Sequence, residues 1–381
     1  MKKRWIYLLT AVMLAAGVCA AEPVVGDAAP LQADADGFVD GDCSLTVYPE
    51  DLNKEESDRF GEDLREADVV IDLYQVAEAV KVQGYDACRY DVRSGYDLTI
   101  PEAPEAEDWE ALAQEAAKAA LNGSASGTLI QSGISAGTET KLDAGLYLVI
   151  ARGRSLTNTA DYLTEVTQKN EETGEETPKL ATVANSRKNA YLFAPQLVSL
   201  PSRTADENGV VNTANQGEWI YDMDISLKPE QTGRFGSLEI IKTLSSYETE
   251  EGVEEPMTCV FEVTGILDGE TVYSNVESIT FTSAGQKSVI LDRIPAMAQV
   301  TVREVYSGAG YELTVPGDRS TVVAADEVAS VDFENVYTGE QKKGHGIKNQ
   351  FVYDENSGWQ WYSDPPQSAN GNQGTPRTAA Q

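Results

Sequence analysis

Short runs rich in Val, Ile, Thr and Tyr recur through most of the chain, separated by Gly, Asn, Asp and Pro, which is the pattern of β-strands and turns. Strands are predicted at Val69 to Val76, Gly145 to Ala151 and Ala190 to Leu197. One stretch has another period. Between Pro104 and Gly123, residues Trp109, Leu112, Ala113, Ala116 and Ala120 share a face at helical spacing, and Gly123 sits where a helix stops. A helix over about 108–121, packed on a sheet, interrupts a first strand-rich domain of residues 42–232.

Residues 237–338 form a cleaner unit, with strands predicted at about 237–244, 258–265, 286–292, 298–305, 310–315, 320–324 and 328–337. Seven short strands in about a hundred residues predict an immunoglobulin-like sandwich. The expected fold class is therefore mainly β, two tandem immunoglobulin-like sandwiches with a helical insertion in the first. Residues 339–381 read as a linker, which contains His345, and a flexible tail with Trp359, Trp361, Pro365 and Pro366 amid polar residues.

Parity along the strands of the second unit exposes an oddity. Alternate side chains share a face, so Lys242 points the same way as Leu238, Ile240 and Leu244. Glu304 shares a face with Val300 and Val302, and Asn335 with Val331, Phe333 and Tyr337. An amine, an acid and a carboxamide are thus turned inward from three strands. Burying any of them alone costs several kcal/mol, so they are expected to meet. Two outcomes are open on residue types alone. One is a buried Lys and Glu salt bridge with a hydrogen-bonded Asn. In the other, burial favours the uncharged forms of amine and carboxylic acid, and the neutral Lys242 amine attacks the Asn335 carbonyl. Glu304 then polarises that carbonyl and shuttles the proton to departing ammonia, leaving an intramolecular isopeptide bond.

Charge and export signals narrow the setting. The chain has 29 Lys+Arg against 62 Asp+Glu and one His, a formal charge of −33. Nucleic acid is excluded as a partner, because its recognition needs a basic surface. Lys2-Lys3-Arg4, the apolar run Trp5 to Gly17 and Val18-Cys19-Ala20 have the three parts of a secretory signal, so residues 1–20 are expected to be removed, leaving no membrane span. A flexible acidic segment, 21–41, follows. Its Asp34, Asp36 and Asp40, with Asp42, lack the spacing of a calcium loop, and neither a metal nor a cofactor is expected. The acidic runs 171–176 and 248–255 read as solvated hairpin tips. Of the three remaining cysteines, Cys259 alternates with Phe261 and Val263 as a buried thiol. Cys43 and Cys88 lie in one domain, and either form a disulfide or act as two small apolar residues.

The segments Gly236 to Lys242, Phe261-Glu262-Val263, Val302 to Val305 with Gly310-Tyr311, and Val331 to Tyr337 together resemble a collagen-adhesin B-type (CnaB, SpaA-like) domain. Such domains recur in pilins and surface adhesins of Gram-positive bacteria. The resemblance implies a self-formed isopeptide cross-link between Lys242 and Asn335, with Glu304 as its catalytic proton shuttle. Asp72 to Ala77, Ala144 to Val149 and Trp219 to Asp222 resemble, less specifically, the amino-terminal domain of two-domain pilins. No cross-link is implied there, since Leu45 to Val47 offers no Lys and Leu148 to Ala151 no acid. Lys228, nine residues after Trp219, is similar to the pilin lysine that a sortase joins to the next subunit, although Pro229 follows it rather than preceding it. Thr375-Pro376-Arg377-Thr378-Ala379 keeps only the Pro and Thr of a sorting signal.

The resulting expectation is a secreted or surface structural protein, a pilin subunit or adhesin stalk, and not an enzyme beyond its self-directed chemistry. Other pilin subunits or a sortase are the implied partners. Alternatives are an adhesin whose first domain holds a host glycan or matrix protein, and a secreted glycoside hydrolase, for which no acid pair has distinguishing neighbours.

Overall fold

The computed structural model describes residues 41–50, 60–83, 87–101, 104, 106–169, 176–203, 219–248, 256–339, 351–354 and 358–361. The secretory signal, the acidic segment up to residue 40, all but Glu176 and Glu248 of the acidic runs 171–176 and 248–255, His345 and the Thr375 segment lie outside them. The described chain is mainly β, built from several sheets. Among these residues no helix is long and apolar enough to cross a membrane.

In the amino-terminal half the strands Val69–Lys81 and Gly145–Gly153 pair antiparallel at the middle of a five-stranded sheet. They are apolar on both faces, and each face has its own cover. Ile71, Leu73, Tyr147, Val149 and Ala151 enter one cluster with Leu45 and Val47 of the strand Cys43–Tyr48. That strand pairs in parallel with Asp222–Ser226. Tyr74, Val76, Leu146, Leu148 and Ile150 enter the other cluster, against Trp109, Ala113, Ala116 and Ala117 of the helix Ala106–Leu121. Small residues at helical spacing let the helix lie close to the sheet. A second sheet orders the strands Glu230–Gly233, Asn189–Phe193, Glu176–Asn185 and Thr164–Lys169.

In the carboxy-terminal half, the strands between Phe235 and Tyr337 form two four-stranded sheets. One orders Gly285–Pro295, Phe235–Leu244, Val328–Tyr337 and Tyr311–Leu313; the other orders Glu270–Phe281, Met257–Leu267, Gln299–Tyr306 and Arg319–Val322. Strict alternation directs Leu238, Ile240, Phe261, Val263, Val300, Val302 and Phe333 into one shared core. Each such large side chain contributes about 1.5–3 kcal/mol on burial. Gly236 is required by crowding, since a Cβ there would lie 2.1 Å from the Ala324 carbonyl oxygen.

Three features differ from the sequence expectation. The run predicted as one strand, Ala190 to Leu197, breaks at Ala194-Pro195 into Asn189–Phe193 and Gln196–Leu200, which lie in different sheets. The strand Glu270–Phe281 makes the carboxy-terminal half eight-stranded rather than seven-stranded. Its outward side chains, Val272 and Val276 among them, blur the apolar alternation. Within the expected flexible tail, Phe351–Asp354 and Gly358–Trp361 pair as a hairpin, with Phe351 opposite Trp361 and Tyr353 opposite Trp359.

Candidate functional site

Three strands converge on one buried constellation. Lys242 and Asn335 lie on the neighbouring parallel strands Phe235–Leu244 and Val328–Tyr337, where Lys242 is opposite Phe333 and Asn335 opposite Leu244. Glu304 comes from the facing sheet, opposite Phe261, at a register shift that leaves Val305 and Tyr306 exposed. The side chains of Lys242 and Glu304 are 0 % exposed, as is Asn335.

The Glu304 carboxylate bridges the other two. Lys242 Nζ donates to it at 3.0 Å (Oε1) and 3.1 Å (Oε2), and Asn335 Nδ2 donates to Oε1 at 2.9 Å. Asn335 Nδ2 also reaches the Ser307 carbonyl at 3.1 Å and the Cys259 sulfur at 3.8 Å. Asn335 Oδ1 is buried and has no hydrogen-bond partner among the described residues. The amide is thus oriented opposite to the expectation that Glu304 would hold the carbonyl. Its NH2 end faces Glu304 and Ser307 because both present acceptors there, and an oxygen turned the same way would be repelled.

The surroundings are apolar and aromatic. Lys242 Nζ lies 5.9 Å from the ring centroids of both Phe261 and Phe333. Burial pushes the Lys242 pKa down, and the charge and hydrogen bond of Glu304 oppose this only in part. Burial also pushes the Cys259 thiol up to about 12, which keeps it protonated and unsuited to nucleophilic attack. An amine whose proton is more easily lost on burial, a carboxamide carbon and a carboxylate touching both nitrogens suffice for an acyl transfer from nitrogen to nitrogen.

The remaining residues singled out from the sequence lie elsewhere. Lys228 is exposed just after the strand Asp222–Ser226, where the buried Leu227 bonds its N–H to the Tyr48 carbonyl at 2.8 Å and so turns its neighbour outward. Cys43 and Cys88 are both buried in the first cluster, and the Cys43 sulfur donates to the Gly41 carbonyl at 3.7 Å. Sequence reasoning did not single out Asp72 and Arg152, a buried pair on the two central strands. Arg152 Nε and Nη2 hold Asp72 at 2.7 and 3.1 Å, Ser132 Oγ and the Gly133 N–H complete the carboxylate's partners, and the guanidinium stacks 4.5 Å over Tyr162. Asp72, set between Ile71 and Leu73, and Arg152, the one charged residue of Gly145–Gly153, were the signal for it.

Comparison with known proteins leaves the function open. A domain family described as a domain of unknown function (DUF5979) matches residues 238–338. No curated protein matches the chain. The minor pilin GBS52 of Streptococcus agalactiae is similar at 12 % identity over 80 % of this chain and 100 % of that one, with a TM-score of 0.20. The TIE protein of Bacillus anthracis is 11 % identical over 78 % of this chain and 34 % of that one, with a TM-score of 0.25. The shaft pilin spaA of Lactobacillus rhamnosus GG is 11 % identical over 79 % and 99 %, with a TM-score of 0.18. Likenesses at these identities and scores carry no argument about this chain.

Proposed function

We propose that this protein is a secreted or cell-surface structural protein of pilin or adhesin-stalk type, whose carboxy-terminal CnaB-like, immunoglobulin-type sandwich locks itself with an isopeptide bond between Lys242 and Asn335. The observation that carries this reading is the contact of one buried carboxylate, Glu304, with both nitrogens that the reaction exchanges. Glu304 accepts a proton from the Lys242 amine as Nζ bonds to Asn335 Cγ, and delivers it to Nδ2 as the Cγ–Nδ2 bond breaks. One amide is lost, one is formed, and one ammonia leaves. The charge is moved through a site shielded from water, where such transfers are strongest.

A covalent tie between the first and last strands of the sandwich suits a load-bearing role, because tension along the chain passes through the bond rather than the sheets. Lys228 is exposed and is the residue through which a sortase would join another subunit. Intact-mass spectrometry of the folded protein tests the reading: loss of one ammonia is expected, and a digest should yield a branched peptide holding Lys242 and Asn335.

A further inference from the structure

Beside the site sits a cation with an unusual set of partners. Arg319 donates from Nη2 to the Val315 carbonyl at 2.9 Å, from Nη1 to those of Gly317 at 2.8 Å and Asp318 at 3.4 Å, and from Nε to that of Asp332 at 3.2 Å. All four are neutral backbone acceptors. The nearby carboxylate Asp318 is occupied by Arg303, at 3.0 Å. The guanidinium charge of Arg319 is therefore held in place without being cancelled. Its Cζ lies 5.2 Å from the centroid of Phe333, the same ring that lies 5.9 Å from Lys242 Nζ.

Two cations on one aromatic ring compete for its negative charge, and each disfavours the other. A guanidinium keeps its charge across the accessible pH range, so the amine is the one that yields. We propose that Arg319 is a positioning residue for the Lys242 nucleophile, acting through the Phe333 ring they share to disfavour the ammonium form. This rests on the isopeptide reading above and adds the group that tunes it.

The other groups around Lys242 do not replace this role. Burial disfavours the ammonium most, Glu304 from the facing sheet favours it, and Arg319 opposes it; Cys259, from the strand Met257–Leu267, stays an uncharged thiol and does not offset Arg319. Lys287, opposite Lys242 in the adjacent strand, carries its amine away to the Thr280 carbonyl at 2.6 Å. Sequence reasoning passed over Arg319 because its pairing with the ring depends on the Val315–Asp318 turn folding back under the guanidinium.

The test starts from full-length chain recovered unfolded, diluted into folding buffers of graded pH, and followed by the rate of ammonia loss in intact mass. In Arg319→Met, which keeps the apolar stem but not the charge, the acid limb of the pH–rate profile should move up by about half a unit, roughly a threefold slower reaction at fixed pH. Arg319→Lys should restore the wild-type midpoint. Arg293→Gln, which removes a similar cation from the Phe235 ring at 5.2 Å, should leave it unchanged. Circular dichroism confirms folding at each pH, and should Arg319→Met fail to fold, Arg319→Gln takes its place. A wild-type profile in the charge-removed variant overturns the role of Arg319 while leaving the bond in place. Absence of ammonia loss in the wild type overturns the bond and this role together.

Discussion

Lys242 and Asn335 stand on adjacent parallel strands, staggered by two residues, so that both point into the same core. Side chains in this diagonal relation on one face are within reach of each other when one is long. They belong to the first and last strands of the carboxy-terminal sandwich, so a bond between them closes nearly the whole unit. By analogy with disulfides closing loops of about 100 residues, it would stabilise the fold by roughly 4–5 kcal/mol through the unfolded state.

Glu304→Gln removes the proton shuttle with little change of shape. The variant should keep its ammonia in intact mass, and the sandwich should melt lower by roughly 15 °C or more, at about 4 °C or more per kcal/mol. Equal melting temperatures in calorimetry would show that the carboxylate has no part in a stabilising bond.

Asn335→Ala leaves Lys242 buried with no carboxamide to acylate it. Burial lowers the Lys242 pKa in the folded state below the ordinary lysine value of 10.5. The unfolded chain then binds more protons in that window, so stability rises with pH until it reaches 10.5 and is reduced below it. Urea midpoints of Asn335→Ala should climb over this range relative to the double variant Lys242→Met, Asn335→Ala. Parallel curves for the two would contradict a lowered Lys242 pKa.

Much of this site was legible because a strand has a period of two. Once Leu238 and Ile240 are inside, Lys242 must be as well, and the same count carries Glu304 and Asn335 inward. What parity could not give was the orientation of the Asn335 amide, which depends on the Ser307 carbonyl supplied by a turn. The strand Glu270–Phe281 escaped notice although Asp268-Gly269, with φ of 52° and 86°, is a hairpin turn of the kind Asp-Gly favours. The parallel pairing of Cys43–Tyr48 with Asp222–Ser226 joins segments too far apart for any local pattern to reveal.

Asp72→Asn should destabilise the amino-terminal half by about 3–5 kcal/mol, because Arg152 is left buried without its counter-charge. Denaturant unfolding followed by fluorescence reports this, and the intact mass should still show the loss of ammonia. Loss of that mass change would mean that the two halves do not fold independently.

Lys228→Ala should abolish any covalent ladder formed when the protein is co-expressed with a pilin sortase, and leave folding untouched because Lys228 is exposed. Ladders that persist in this variant on denaturing gels would remove Lys228 from the linkage.

The most direct test of the central claim is the intact mass of the folded wild-type protein, measured beside Lys242→Met and Asn335→Ala. The account predicts a mass short of the sequence by one ammonia in the wild type alone, with Lys242 and Asn335 recovered in one branched peptide. An unmodified wild-type mass would contradict it, and Lys242 and Glu304 would then be a buried ion pair.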